Sequence, residues 1–598
     1  MRVHPTLRAA TRLTPRMVAF QIKRSVRGKL VPRFPNVYDR TIRRTASSLP
    51  TPEFSDKMPP DLAHFVGEYY RHNDEELKDA ACGRFTLLGR AVDFGSIQDI
   101  DWLFLHPDEG DGLWRMKFAQ LSILHSLISS ANEAHHYSAR AILRRFAEFR
   151  TFESTEAFAT CWSPYDTSHR ILATLSGLAI ARMRGHIGED VRAEIEDFIR
   201  LDAGFLWRNV EHEMRNNHTE RNLAALCFYH LAANSISPSR ARRLDREVNR
   251  IISATVLADG MQAERSAMYQ GLTVMSLRIF AACHFLSVAT RDLARKRADA
   301  AAGAWMFLTH NDGDIALFND SWFGEVPQPT AVLDTDKVTL PLSLPDAGYY
   351  RLSSGPIEAL FDAGEIGPRW NPAHGHPDFL ALEVDAFGRR FIVDPGTSQY
   401  SPGPQRTYER SGQSHNGPHY QGVETVEYHG RFKVGKFLRA EPLSEVDLSN
   451  ISVDTLGGHI RTSAGVCIRI VCALPSGGLL VIDRWMSSRP AGATNLLIPD
   501  SWTIQHRGEA VEARSAEVTT EVVVFQGRLR GLEKRTWARR YFHAEGAVAV
   551  MLEPTIGPSG AQELAFGIGV VLQSELSAVH AEVTNQLTSA IKAGVFTR

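Results

Sequence analysis

The feature that most constrains the fold is a change of hydrophobic period part-way along the chain. From about residue 60 to 310, apolar residues recur at three- and four-residue steps, as in residues 114–130, 168–184 and 272–288, which is typical of amphipathic helices. After about residue 335, short β-rich runs such as residues 379–384 and 479–483 are separated by Gly, Pro, Asp and Ser, which is typical of antiparallel sheets in a sandwich. Helices first and strands second predict two domains rather than an alternating α/β fold.

The helical part has no fixed sequence repeat, and its consecutive hairpins indicate stacked helix pairs, as in an α/α toroid or a solenoid. Residues 311–335, where Gly and Pro cluster, are interpreted as the linker between the two domains. The chain is 43% hydrophobic and 23% charged, which excludes a disordered protein. No run of eighteen apolar residues occurs, so no transmembrane helix is predicted.

Residues 1–50 form a basic segment in a chain whose net charge is only −1. The segment contains twelve Lys or Arg and one acid, Asp39. It could contact an anionic membrane surface, a nucleic acid or an acidic polymer, but an amphipathic arm packed on the acidic body is the favoured interpretation. No zinc-finger, RNP-type or P-loop motif occurs, so we expect no nucleic-acid partner.

The same segment bears on location. Arg8, Arg12 and Arg16 interrupt every apolar stretch that could serve as a secretory signal. The six Cys are far apart and form no C-x-x-C pair, which favours buried free thiols over a metal or redox role. These features predict a cytoplasmic or membrane-peripheral protein, with the periplasm left open.

Two polar clusters lie in the helical part. Residues 215–222 lie directly before an apolar helix. Asn216 and Asn217 are either caps of that helix or, with His218, an amide donor beside a base. Residues 259–269 contain a Gly turn followed by Glu264, Arg265 and Tyr269. A turn and a helix start explain most of this second cluster, and Tyr269 could be an ordinary core tyrosine.

A third and denser cluster lies among the predicted strands. His374, His376 and Asp378 precede a strand pair that ends at Asp394, and His415 follows. An H-x-H step places both rings on the same side of an extended segment, and these residue types are those of a three- or four-ligand metal site. A metal or catalytic site is favoured here over a purely structural polar cluster.

These three clusters, in this order, resemble the heparinase II/III-like polysaccharide lyases over roughly residues 60–490. The resemblance implies a multidomain α-then-β chain, in which an N-terminal incomplete α/α toroid is followed by an antiparallel β-sandwich domain. The predicted boundaries are residues 1–55 for the basic N-terminal segment, 56–325 for the toroid and 326–598 for the sandwich. The family's active site lies in the cleft between toroid and sandwich.

The resemblance also implies roles for individual residues. The catalytic set is Asn217 for the uronate carboxylate, His218 as a base, Tyr269 as the acid or as both acid and base, and His374 facing across the cleft. The substrate-binding set comprises Trp162 and Tyr165 as sugar-stacking aromatics, with Glu264, Arg265 and Arg410. The metal set is His376, Asp394 and His415, for a zinc ion that looks structural, and no organic cofactor is expected.

The implied function is cleavage of an acidic polysaccharide by β-elimination: removal of the C5 proton of a uronic acid and expulsion of the C4 oxygen. Donors aimed at the carboxylate stabilise the enolate, and a base and an acid complete the set. The absence of a recognisable signal peptide suggests a role in exopolysaccharide synthesis or maturation. Three departures from the family pattern bear on substrate identity: Gly417 in place of a usual Thr, Ala267 in place of a common Pro, and residues 117–119 in place of an aromatic stretch.

Two other functions stay open. A glycan-binding or assembly protein could keep the fold without turnover. A toroid glycoside hydrolase is less favoured, because hydrolases need paired carboxylates about 5–10 Å apart and no clear pair occurs among the acids of the toroid clusters, which are Glu211, Glu213, Glu220, Asp259 and Glu264.

Overall fold

The computed structural model describes residues 11–54, 58–107, 110, 112–444, 446–557 and 560–596. The start of the basic segment, with Arg2 and Arg8, lies outside the described residues. In the part that is described, no helix has both the length and the apolar character needed to cross a membrane.

The first half of the chain is helical and is interrupted by one small hairpin. The helices of this half are α1 (Pro15–Leu30), α2 (Pro35–Ser47), α3 (Pro60–Glu68), α4 (Asp74–Ala81), α5 (Leu113–Ala119), α6 (Leu124–Ser129), α7 (Glu133–Phe149), α8 (Thr155–Cys161), α9 (Pro164–Arg184), α10 (Glu189–Asn209), α11 (Asn217–Ala232), α12 (Pro238–Thr255), α13 (Ala267–Ala282) and α14 (Val288–Phe307). The hairpin pairs β1 (Arg84–Leu87) with β2 (Arg90–Asp93), and a 3-10 turn, Val31–Arg33, joins α1 to α2.

Burial divides the longer helices into an inner and an outer set. Helices α9, α11 and α13 are buried along nearly their whole length and pack in sequence against one another. Helices α10, α12 and α14 bury one face only and lie behind the inner helices. An inner helix surrounded on all sides must be apolar all round, whereas an outer helix needs a single apolar stripe. This arrangement confirms the predicted incomplete α/α toroid.

The second half of the chain forms antiparallel sheets. Its strands are β3 (Ser343–Leu344), β4 (Tyr349–Ser354), β5 (Ile357–Asp362), β6 (Leu382–Ala386), β7 (Arg389–Ile392), β8 (Pro418–Tyr420), β9 (Val426–His429), β10 (Lys433–Phe437), β11 (Ala440–Pro442), β12 (Thr455–Arg461), β13 (Val466–Ala473), β14 (Gly478–Trp485), β15 (Gly492–Pro499), β16 (Thr503–Arg507), β17 (Ala510–Ser515), β18 (Val518–Gln526), β19 (Arg528–Arg540), β20 (His543–Glu553), β21 (Thr555–Ile556) and β22 (Gln562–Gly569). Two short helices, α15 (Pro329–Val332) and α16 (Pro404–Glu409), and two 3-10 turns, Thr335–Lys337 and Leu448–Asn450, lie between them.

Three of the sheets build the body of this half. The largest has the order β11-β12-β13-β14-β22-β18-β17-β16, with β21 beside β22, and the others have the orders β3-β4-β5-β6-β7 and β19-β20-β15-β8. One buried apolar cluster collects side chains from all three sheets, among them Phe361, Val481 and Leu496. The predicted β-sandwich is therefore confirmed.

A long helix, α17 (Gln573–Lys592), closes the chain and was not predicted. Its apolar residues Leu576, Val579 and Val583 pack on Ile468 and Ile482 of the largest sheet. The sheet is thus covered on both faces, which explains why β13 reads as a nearly continuous apolar run instead of alternating with polar residues.

Candidate active site

The three inner helices of the toroid all begin at the candidate site. Each has a side-chain cap: Ser163 accepts from the backbone of α9, Asn216 from α11 and Ser266 from α13. Tyr165, His218 and Tyr269 therefore lie in the first turn of their helices. Unpaired N–H groups and the positive end of the helix dipole occur at such ends, and both favour a negatively charged ligand.

His218 lies between an aromatic ring and a carboxylate. Its ring stacks on that of Tyr165 with centroids 4.1 Å apart, and its Nδ1 lies 3.3 Å from Oε2 of Glu211. Burial alone would lower the pKa of His218, but the Glu211 carboxylate raises it, and the net direction is upward. Because Nδ1 faces Glu211, the other ring nitrogen, Nε2, is the one left for a ligand.

Asn217 is held in place by Glu264. Oε2 of Glu264 accepts from the Asn217 amide nitrogen at 2.8 Å, from its backbone N–H at 3.2 Å and from Gln262 at 2.8 Å. The Asn217 side-chain nitrogen carries a second N–H, which is not needed for this contact. Glu264 is 2% exposed and orients Asn217 from behind, and its predicted role in substrate binding stays a prediction.

A contact across the two domains joins Tyr269 to His374. The two rings have centroids 4.7 Å apart, and the Tyr269 hydroxyl lies 3.5 Å from Nδ1 of His374. The same hydroxyl lies 3.1 Å from that of Tyr400. The pKa of Tyr269 is raised well above its ordinary value, mainly by burial and also by the nearby Tyr165 and Glu264. This phenol therefore retains its proton.

The sequence reading missed Asp320, which lies in the segment interpreted as a linker. One oxygen of its carboxylate accepts from Nδ1 of His374 at 2.9 Å, and the other accepts from Nε2 of His376 at 2.9 Å and contacts Arg406 at 2.6 Å. Burial would raise the pKa of Asp320, but Arg406 and the two histidines lower it well below its ordinary value. Asp320 therefore stays ionised and fixes the orientation of both rings. Tyr400 and Arg406 were missed as well.

The three residues predicted to bind zinc lie together behind His374. The His376 and His415 rings have centroids 5.5 Å apart, and Asp394 accepts from Nδ1 of His415 at 2.7 Å. The remaining ring nitrogens, Nδ1 of His376 and Nε2 of His415, are buried without a hydrogen-bond partner. A histidine that donates one N–H to a carboxylate and keeps the other nitrogen bare is typical of a metal ligand. Nevertheless, no group of three His, Cys, Asp or Glu in the described part of the chain is arranged to hold a metal ion.

Two predicted substrate-binding residues belong to the protein interior instead. Trp162 is 2% exposed, stacks on Phe152 at 4.7 Å and donates its indole N–H to the Arg150 carbonyl, so it offers no surface to a sugar. The guanidinium of Arg265 donates to the carbonyls of Asp346 and Ala347. It therefore ties the toroid to the segment before β4, because both its contacts are backbone groups outside the site.

Arg410, also predicted to bind substrate, lies close behind the site. Its guanidinium lies 3.5 Å from the centre of the Tyr428 ring, and the Tyr428 hydroxyl donates to the carbonyl of Gly375, between the two histidines. Nε and Nη2 of Arg410 are buried without a hydrogen-bond partner. A buried cation with two unused N–H donors suits an anionic group.

An open cleft of about 710 Å³ adjoins these residues and is lined by both domains. Arg71, Arg90 and Lys117 line its toroid side, and Arg539 and Arg540 its sandwich side, with Glu76, Glu325 and Glu545 interspersed. Trp322 and Tyr541 also line it and pack on Tyr400. Tyr400 therefore lies between this lining and Tyr269, whose hydroxyl is 3.1 Å from that of Tyr400.

Residues 337–555 match the family model described as Heparinase II/III-like, C-terminal. This part of the chain is similar to the C-terminal domain of the heparinase II/III-like proteins. It contains His374, His376, Asp394, Tyr400 and His415. Gly417, which departs from the family pattern, has a local reason: a Cβ there would lie 2.3 Å from the carbonyl oxygen of Phe379.

The fold of the whole chain is similar to that of solved heparinases. The crystal structure of heparan sulfate lyase HepC from Pedobacter heparinus matches with a TM-score of 0.55 and 16% identity, over 90% of this chain and 88% of that chain. The crystal structure of heparinase III matches with a TM-score of 0.60 and 14% identity, over 86% and 85%. At these identities the likeness establishes the polysaccharide lyase fold alone. No curated protein sequence matches the chain.

Proposed function

We propose that the protein is a polysaccharide lyase that cleaves uronic-acid-containing glycans by β-elimination. The observation that carries the proposal is the contact between Tyr269 of the toroid and His374 of the heparinase II/III-like domain. It brings a protonated phenol from the toroid and an imidazole from the second domain to one point, beside the helix end that presents Asn217 and His218.

The first requirement of β-elimination is neutralisation of the uronate carboxylate, since the C5 proton is otherwise too weakly acidic to remove. The capped starts of α9, α11 and α13 supply a positive electrostatic environment. The free N–H of Asn217 is a donor for the carboxylate, and Nε2–H of His374 is a second one in the imidazolium form, because Nδ1–H is held by Asp320. Each fixed donor of this kind contributes about 3–4 kcal/mol to stabilisation of an oxyanion.

The second requirement is a base for the C5 proton and an acid for the leaving oxygen. We assign the base to Nε2 of His218, because Glu211 holds the opposite ring nitrogen and fixes the orientation of the ring. We assign the acid to Tyr269, whose raised pKa keeps its proton in place. Each such proton transfer contributes about 10²–10⁴-fold to the rate.

The substrate class follows from charge. Helix N-termini, the unused N–H donors of Arg410 and the excess of five basic over three acidic side chains in the cleft favour an acidic polysaccharide. Uronate-rich exopolysaccharides belong to this class, and we include a role in their synthesis or maturation in the proposal.

A structural zinc ion is also part of the proposal. The bare nitrogens of His376 and His415 support it, and Asp394 would complete the ligand set in place of its hydrogen bond to His415. When bound, zinc would fix the loop that carries His374 and would not enter the reaction. Asp320 would still orient His376 from the other ring nitrogen.

The experiment is incubation of the purified protein with alginate, heparan sulfate, hyaluronan and bacterial exopolysaccharides, followed by ultraviolet absorbance. We expect a rise on at least one polymer from the conjugated double bond that elimination creates, and loss of the rise in His218→Ala. Reducing ends without a double bond would establish a hydrolase instead. Binding without any cleavage would favour the glycan-binding function, and unchanged turnover in His218→Ala would refute the assignment of the base.

A further inference from the structure

Helix α1 presents an apolar stripe to solvent. Val18, Ile22, Val26 and Leu30 recur every four residues, so they lie along one side of the helix, and they are 39%, 59%, 47% and 44% exposed. The side that packs on the protein carries Met17, the buried residue of this helix. A surface helix normally turns its apolar stripe to the core, so α1 is oriented for contact with something outside the chain.

The exposed apolar surface continues past the end of α1. Phe34, at the turn into α2, is 59% exposed, and Val37, in the first turn of α2, is 56% exposed. Single exposed apolar residues are ordinary, whereas a contiguous series marks an interaction surface.

A cleft of about 700 Å³ lies between α1 and the outer toroid helices. Its lining, all of it from described residues, includes no Asp or Glu, and Val26 and Leu30 of the stripe belong to it. Five basic side chains line it: Lys23, Arg27, Arg208, Arg240 and Arg243. The apolar stripe and a concentrated positive charge therefore share one surface.

We propose that α1 and this cleft dock the protein onto an anionic lipid membrane. The stripe enters the boundary between headgroups and acyl chains, and the five cations contact lipid phosphates. A helix with apolar residues on one side and basic residues beside them is typical of binding in the plane of a membrane surface, and anionic headgroups attract each cation.

Charge and exposure favour this occupant over two others. An acidic polysaccharide would pair with the cations but would leave the apolar stripe in water. A second copy of the chain would bring an equal positive charge against the first. An anionic membrane would bury the apolar stripe and pair with the cations at the same time.

Docking at this surface would also place the candidate active site near the lipid. Arg24 of α1 lies 3.5 Å from Glu211, the carboxylate that holds His218. The membrane proposal does not depend on the lyase chemistry, because none of its lining residues belongs to the catalytic set.

The test is co-sedimentation of the full chain with vesicles of phosphatidylcholine alone and of phosphatidylcholine with one third phosphatidylglycerol. We expect binding to the anionic vesicles that weakens with added NaCl. The triple variant Ile22→Ser, Val26→Ser, Leu30→Ser should lower the partition coefficient by at least about tenfold, and Lys23→Gln with Arg208→Gln by about fivefold per charge. The substituted apolar side chains are exposed, so circular dichroism and the melting temperature should stay those of the parent.

A matched control substitutes three exposed apolar residues elsewhere: Leu342→Ser, Ile556→Ser and Val570→Ser, which are 97%, 65% and 49% exposed. This variant should bind vesicles as the parent does. The proposal is overturned by absence of binding to anionic vesicles, or by unchanged binding of the stripe variant. It is equally overturned if the cations bind acidic polysaccharide beads but no vesicles, or if light scattering shows a dimer that the stripe variant dissociates.

Discussion

The substitution Tyr269→Phe separates the catalytic role of the hydroxyl from its role in packing. The ring is 7% exposed and stays in place in the variant, so the core keeps its volume. The hydroxyl contacts Tyr400 at 3.1 Å and His374 at 3.5 Å, and loss of one such hydrogen bond lowers the free energy of unfolding by about 0.5–1.5 kcal/mol. Loss of the proton donor should lower kcat by about 10²–10⁴-fold, which corresponds to about 3–5 kcal/mol of activation free energy.

The two effects are measured in different assays and should differ clearly in size. Initial rates of the ultraviolet increase on the cleaved polymer give kcat and KM, and urea unfolding gives the stability. Tyr229→Phe is the matched control, because it too removes a buried hydrogen-bonded hydroxyl, which here donates to the Pro50 carbonyl, remote from the cleft. We expect the control to lose similar stability and to retain its kcat.

The assignment of Tyr269 fails if Tyr269→Phe retains kcat within about tenfold of the parent, since a general acid contributes more than that. It also fails if kcat falls equally in Tyr229→Phe, because the loss would then follow from stability. A rise of KM with unchanged kcat would place the hydroxyl in substrate binding alone.

Three further predictions follow from other contacts. Glu211→Gln should move the acidic limb of the pH–rate profile to lower pH, since Glu211 raises the pKa of His218 and the base must be neutral; an unmoved limb would exclude His218 as the base. Asp202→Ala should lower the free energy of unfolding by about 3–5 kcal/mol in urea titration, because it leaves two buried arginines unpaired; a loss below about 1 kcal/mol would contradict this. His415→Ala should lower the zinc content of the purified protein measured by mass spectrometry, and a parent protein without zinc would refute the metal proposal.

The order of the domains could be predicted from the sequence, because the spacing of apolar residues depends on which side chains a helix or a strand buries. Apolar steps of three and four residues placed the toroid, and short runs between turns placed the sandwich. The clusters around Asn217, Tyr269 and His374 do come together, since helix starts and strand ends are where polar residues concentrate. The roles of these residues stay proposals.

Other features could not be read from local pattern. Asp320 lies in a segment without periodicity, and its position depends on how the two domains pack. Trp162 looked like an exposed aromatic before a helix, but only the fold decides which side of a helix start faces the core. Helix α17 differs, because its buried apolar residues recur at helical spacing and could have predicted it: Leu576, Val579, Val583 and Leu587.

The carboxylate of Asp320 contacts His374 and His376 from the segment that joins the domains, and Tyr269 lies on the toroid side. During synthesis the toroid emerges from the ribosome first, and domains fold as units in that order. A chain stopped before Arg406 would carry the starts of α9, α11 and α13 but would lack the cation that pairs with Asp320. On the proposed lyase function, the nascent protein would lack activity until its second domain has folded, and the appearance of activity would report that this folding is complete.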